Sequence, residues 1–229
     1  MSRRRTGAIA VALALGGFLV VSVVAPSSLR KCSALAPLGF TLMNACSDFF
    51  GIIDMRSANQ KISDYTNAIE INPNDADSYW ERGIAKEDLG DLKGAIFDYT
   101  KVLEIDPQDS HAYYIRGIAK NELGDYEGAI ADYNKVIEIR PDADAYAKRA
   151  LVKKQQKDYQ GAIADFENAK MYCLTDCNPK IYYYLGITKE ESGDQQGACN
   201  DYKKAASLGS QSTAQWLNSA DGAWCRNMR

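Results

Sequence analysis

Imidazole is almost missing from this chain of 229 residues, which holds one histidine, His111. Metal sites and general-base schemes that need several imidazoles are thereby set aside. An excess of basic charge is missing too. Lys and Arg total 27 against 30 Asp and Glu, and the net charge is −3. The basic residues are spread along the chain among acids, so no patch of the kind that binds nucleic-acid phosphates is expected. No G-x-S-x-G elbow, P-loop, dinucleotide fingerprint or HExxH occurs. We assign no catalytic, metal or cofactor residue, and expect a protein that is not an enzyme.

What the chain does have begins at its N-terminus. Arg3, Arg4 and Arg5 precede an uncharged apolar run from Gly7 to Ala25. A helix of that length nearly crosses a hydrocarbon core of ~30 Å. Residues 1–28 are therefore expected to form a transmembrane or signal helix. Val23 and Ala25 suit signal cleavage, but Pro26 would follow the cut and hinders it. An uncleaved anchor is favoured, with a cleaved signal peptide as the alternative. Three arginines before the run favour an N-terminus in the cytoplasm and the rest across the membrane, in a periplasmic or lumenal space. Residues 29–56 read as a linker and N-terminal cap.

The strongest signal is internal repetition. Gly83, Gly117, Ala150 and Gly186 recur at separations of 34, 33 and 36 residues. Ala95, Ala129, Ala162 and Ala198 keep the same spacing, as do Tyr99, Tyr133, Phe166 and Tyr202, and Asp98, Asp132, Asp165 and Asp201. The small residues belong where two helix axes approach closely. Leu89-Gly90-Asp91 and Leu123-Gly124-Asp125 read as the ends of first helices, with glycine in the left-handed cap. Pro107 and Pro141 stop second helices.

This skeleton resembles the tetratricopeptide repeat, or TPR, in a style similar to cyanobacterial examples. The resemblance implies an all-α solenoid of helix-turn-helix pairs. Residues 57–75 would form a partial repeat, 76–209 four full repeats and 210–229 a C-terminal capping helix. It departs from the common pattern at Arg82, Arg116 and Arg149, and at Lys86, Lys120, Lys153 and Lys189. With the aspartates of the partner helix these predict a ladder of ion pairs, an anion-binding stripe being the alternative. Leu185 breaks the arginine series, so the ladder should be weakest in repeat four.

Members of this family bind extended peptides or helices on a concave face lined by first helices. Here that implies a partner-binding floor of Trp80, Ile84, Tyr114, Ile118, Leu151, Tyr183 and Ile187, with Ala147 among them. So apolar a floor suits a protein or peptide partner with an apolar segment. Ile84 and Ile115 fill the asparagine slots of the clamp that holds chaperone tails, which disfavours that partner. The resulting expectation is a membrane-tethered interaction scaffold or assembly factor. The alternatives are a structural, self-associating repeat protein and a soluble exported module.

Six cysteines fit disulfides in an oxidising compartment. Cys199 and Cys225 are expected to pair, because the last helix should cover the last repeat. Cys173 and Cys177, spaced C-x3-C, supply two thiols, which is half a metal site. A local disulfide is favoured for them, with free thiols as the alternative.

Overall fold

The computed structural model describes residues 11–15, 18–22, 57–173 and 178–228. The chain divides into two units, Met1–Met55 and Arg56–Arg229.

In the first unit the expected N-terminal helix is not seen. Two strands, β1 (Val11–Leu15) and β2 (Phe18–Ser22), pair antiparallel, with Val11 opposite Ser22 and Leu15 opposite Phe18. The sequence between them is Gly16-Gly17. Paired glycines weaken a helix and favour a two-residue hairpin connection, and valine favours the strand. Among the described residues no helix is long and apolar enough to cross a membrane. The linker and cap proposed for residues 29–56 lie outside the described residues.

The second unit is all-α in its described residues. A lone helix α1 (Ala58–Ile71) precedes four pairs. These are α2 (Ala76–Asp88) with α3 (Leu92–Ile105), α4 (Ser110–Glu122) with α5 (Tyr126–Ile139), α6 (Ala143–Gln155) with α7 (Tyr159–Tyr172), and α8 (Pro179–Glu191) with α9 (Gln195–Ser207). Each helix packs chiefly on those before and after it, the pattern of a solenoid.

Local chemistry sets the helix ends. Asp75, Asp91, Asp109, Asp125, Asp142, Asp158 and Asp194 are N-caps whose carboxylates accept from backbone N–H groups of the first turn. Asp91 also closes the helix before it. Its N–H donates to the Lys86 carbonyl while Gly90 N–H donates to that of Glu87, which is a Schellman closure. Gly90 sits at φ 77° and Gly124 at φ 81°. In the third pair the same position is Lys157, at φ 63°.

Within each pair the small residue meets the aromatic ring. A Cβ on Gly117 would lie 2.9 Å from Cε1 of Tyr133. Ala95, Ala129, Ala162 and Ala198 are fully buried beside Tyr99, Tyr133, Phe166 and Tyr202, themselves almost completely enclosed.

The C-terminus corrects the expectation of one capping helix. Two short helices form, α10 (Gln211–Asn218) and α11 (Ala223–Asn227). Ser219 ends α10 by donating to the Trp216 carbonyl, and the N–H of Gly222 donates to Ser219 Oγ. A Cβ at Gly222 would fall 2.3 Å from the Trp216 carbonyl oxygen, so the turn is closed to other residues.

Candidate partner-binding face

The face is held in place by charges behind it. Arg82 Nη2 donates to Asp98 Oδ1 at 2.6 Å, Nε to Oδ2 at 3.0 Å, and Lys86 Nζ lies 2.8 Å from Oδ2. Arg116 and Lys120 hold Asp132 in this way, and Arg149 and Lys153 hold Asp165. Asp98, Asp132 and Asp165 are buried. Burying a carboxylate is costly unless it is paired and hydrogen-bonded, and each of these is. The cations are therefore committed, which leaves the ladder reading rather than an anion-binding stripe.

Each arginine also reaches back. Arg82 Nη1 donates to Thr66 Oγ1 at 3.2 Å and Arg116 Nη1 to Thr100 Oγ1 at 3.0 Å. Arg149 Nη1 donates to Asn134 Oδ1. A first helix is thus tied both to its own second helix and to that of the preceding repeat. Repeat four lacks the arginine, and there Lys189 Nζ bridges Asp201 Oδ2 at 2.7 Å and Glu167 Oε1 at 3.2 Å. Burial, countered by Lys189, still leaves the Asp201 carboxyl above its usual range.

On the opposite side of the first helices stand the sequence-predicted residues. Trp80 and Ile84 are on α2, Tyr114 and Ile118 on α4, Leu151 on α6, and Tyr183 and Ile187 on α8. The spacing of four puts both members of a pair on one helix face. None of the seven is fully buried, and Tyr183 is the most open at 37% exposure. Their inner sides rest on the aromatic of their own repeat. Ring centroids are 5.4 Å apart for Trp80 and Tyr99, 6.0 Å for Tyr114 and Tyr133, and 6.1 Å for Tyr183 and Tyr202. Leu151 packs against the cluster of Ala150, Phe166 and Leu185.

Two cavities divide these residues. The larger, about 920 Å³, takes in Tyr114 but also His111, Arg140, Asp142, Asp144, Tyr172 and Asn178. Burial, with Asp144 and Asp142 adding to it, pushes the Tyr114 hydroxyl up to about 12, so it remains a neutral donor. The smaller, about 330 Å³, holds Tyr183 and Ile187 beside Glu190, Tyr202, Ser212 and Trp216. Trp80, Ile84, Ile118 and Leu151 line neither. The polar residues around Tyr114 were missed from sequence because they sit at helix ends, outside the repeated skeleton. One signal was present: Arg140 stands where the two preceding connections carry Asn72 and Asp106.

A further repeated contact lies under the face. Tyr99 donates to Glu87 Oε2 at 2.7 Å and Tyr202 to Glu190 Oε2 at 2.6 Å. Burial first, then the adjacent carboxylate, holds both phenols well above their ordinary range. In repeat two the slot is Asn121, whose buried Oδ1 has no hydrogen-bond partner among the described residues.

Cys199 and Cys225 are bonded at S–S 2.04 Å, with their Cα atoms 5.1 Å apart, which ties α11 to α9. Cys173 has a free thiol. Its side chain packs against the apolar cluster of α6, α7 and α8; the local bridge favoured from sequence involves Cys177. Cys177 lies outside the described residues. Among the described residues no group of three or more His, Cys, Asp or Glu is placed to hold a metal ion.

Comparison with known proteins places this geometry. Models of the tetratricopeptide repeat match residues 76–109 and 110–142. No curated protein matches. Among solved structures, a crystal structure of MamA is similar with a TM-score of 0.61 at 24% identity, covering 71% of this chain and 99% of that one. MamA from Desulfovibrio magneticus RS-1, residue 41 to its end, is similar at 0.63 and 22% identity, covering 73% and 93%. A chain of the APC/C hetero-tetramer Cut9-Hcn1 is similar at 0.55 and 18% identity; 70% of this chain is covered but only 31% of that one.

Proposed function

We propose that this chain, a tetratricopeptide-repeat protein and thus a scaffold for protein–protein interaction, captures an apolar or amphipathic segment of a partner along its first-helix face. The observation that carries the reading is the row of half-buried side chains from Trp80 to Ile187. Four successive first helices each leave an aromatic or aliphatic residue in contact with the core on one side and open on the other. A core residue would be enclosed, and ordinary exposed apolar residues are scattered singly and not aligned in one row. Asp142, Asp144 and Arg140 beside Tyr114 add charge of both signs at the edge, where it sets register more than affinity.

Two features favour a location outside the cytoplasm. The apolar run behind three arginines is export-like in composition, and the Cys199–Cys225 bond persists in oxidising compartments. A tether to the membrane through that run is the corresponding proposal. N-terminal sequencing with carbonate extraction of the native protein tests it, and a soluble mature chain starting near Pro26 would remove the tether.

The test of the face is capture of partners from native extract by the full chain, compared with Tyr114→Glu and Trp80→Glu. Each variant should lose the partner and keep its far-UV circular dichroism. Retention by both would move the interaction to another surface, and a change in particle mass by light scattering would point to self-association.

A further inference from the structure

The smaller cavity has a lining unlike that of a purely apolar groove. Three aromatic rings border it: Tyr183 from α8, Tyr202 from α9 and Trp216 from α10. Their centroids are 6.1 Å apart for Tyr183 and Tyr202, and 4.8 Å for Tyr202 and Trp216. Ile187 supplies an aliphatic wall, and Glu190 and Ser212 supply the polar groups. Among the described residues no basic side chain borders it.

Charge around this cavity is unbalanced. Glu190 accepts from the Tyr202 hydroxyl at 2.6 Å and makes no ion pair among the described residues. Three lysines of α6, α8 and α9 are committed elsewhere. Lys189 holds Asp201 and Glu167, Lys154 lies 2.7 Å from Glu191, and Lys203 donates to the Met228 carbonyl. A carboxylate at the mouth of an aromatic box with no countercharge is complementary to an organic cation. Ring faces attract the cation through their quadrupole, and an aliphatic wall receives its methylene stem.

The first repeat carries a related arrangement. Trp80, Ile84, Glu87 and Tyr99 are the corresponding residues, with Tyr99 donating to Glu87 as Tyr202 does to Glu190. There a ring of this chain covers the aromatic: His111 lies 4.9 Å from Trp80, centroid to centroid. Among the described residues the fourth pair is followed by two short helices and not by a fifth pair. The wall is instead α10, fixed by the contact of Trp216 with Trp224 at 6.2 Å and by the Cys199–Cys225 bond.

We propose that the pocket of Tyr183, Ile187, Glu190, Tyr202 and Trp216 receives the ammonium head and alkyl stem of a lysine side chain presented by the partner segment. The proposal rests on the reading that such a segment lies along the first-helix face. It adds a specificity element, one lysine seated at the last repeat in an otherwise apolar segment.

The test uses the full chain and defined probes, observed through the tryptophan indole N–H signals in NMR. Pentylammonium should shift the Trp216 signal, and 1-pentanol at the same concentration should not. Glu190→Gln, which can still accept from Tyr202, should weaken pentylammonium binding roughly ten-fold. Tyr183→Leu, at an open position, should weaken it similarly with helicity unchanged. A short peptide with one lysine among leucines and alanines should bind more tightly than pentylammonium, and its norleucine counterpart should lose that gain. Equal response to pentanol, or unchanged binding by Glu190→Gln, overturns the proposal. Tighter binding of choline than of the lysine peptide overturns it in favour of a small-molecule site. Pentylammonium binding does not involve Tyr114, so failure of the partner-face reading leaves this result legible by itself.

Discussion

Glu167 and Lys189 face each other across the junction of the third and fourth repeats at 3.2 Å, and Lys189 also holds Asp201 at 2.7 Å. The two earlier junctions of full repeats use an arginine that reaches a threonine or asparagine. Two slots therefore differ together: Leu185 stands where the earlier repeats have arginine, and Glu167 where they have a neutral acceptor. The lysine takes over the bridge, and Leu185 joins the buried apolar cluster.

Arg116 is the test of the ladder. Arg116→Met should destabilise by about 3 kcal/mol, because Asp132 stays buried with only Lys120 to balance it. Arg116→Lys should recover little, since a lysine cannot reach Asp132 by two parallel bonds and Thr100 as well. Urea unfolding of the full chain measures both.

The fourth junction should respond to acid. Burial works to raise the Glu167 pKa, but hydrogen bonds from Lys170 and Lys189 outweigh it and hold it below the ordinary value of 4.5. A depressed folded-state value contributes stability above the unfolded pKa and loses it as pH falls through the folded one. The stability advantage over Glu167→Gln should therefore be complete above pH 4.5 and shrink below it. Thermal melts of both proteins at a series of pH values supply the comparison; a gap that widens in acid would contradict the assignment.

Lys157 is a strained substitute for a cap glycine. Its φ of 63° is the conformation that Gly90, Gly124 and Gly193 hold at the corresponding turns. Left-handed backbone costs a residue with a Cβ ~1 kcal/mol. Lys157→Gly should accordingly raise stability by roughly 0.5–1 kcal/mol, net of the extra chain entropy of glycine. The gain would be read in denaturant midpoint at unchanged slope.

The terminal cap should depend on its disulfide. Cys199 and Cys225 close a separation of 26 residues, a loop for which cross-linking contributes ~3 kcal/mol. Cys225→Ser should loosen α10 and α11 before the rest, seen as faster hydrogen exchange confined to residues beyond 208. In the native unreduced protein a maleimide should modify Cys173 and spare Cys199 and Cys225.

How much of this was legible in the sequence depends on whether a residue belongs to the repeating skeleton. Gly117, Ala129, Asp132 and Tyr133 lie in slots that recur, and their packing could be read from spacing. Arg116 and Lys120 were legible as ladder members for the same reason. The backward bond to Thr100 was not, because threonine at 66 and 100 gives way to asparagine and glutamate in the next two copies. The cavity around Tyr114 was half legible: the tyrosine occupies a family slot, whereas Arg140, Asp144 and Asn178 come from helix ends that vary between copies. The turn at Gly222 was missed because Trp216, Leu217 and Trp224, taken together, suggested a single helix. At the N-terminus uniform apolarity suggested a helix, and it cannot by itself tell helix from strand.

The arginine contacts also determine how the array can change in length. Arg82 and Arg116 reach 16 residues forward and 16 back, whereas Arg149 reaches 16 forward and 15 back. The missing residue is matched by an acceptor one bond longer, Asn134 in place of a threonine. Each arginine is in effect a ruler with two arms. Gain or loss of one whole unit leaves both arms intact at every other joint, whereas a single-residue slip in a connection must be met by a new acceptor. Growth and shortening of such a chain are thus quantised, and point insertions leave a trace in the side chain that answers them.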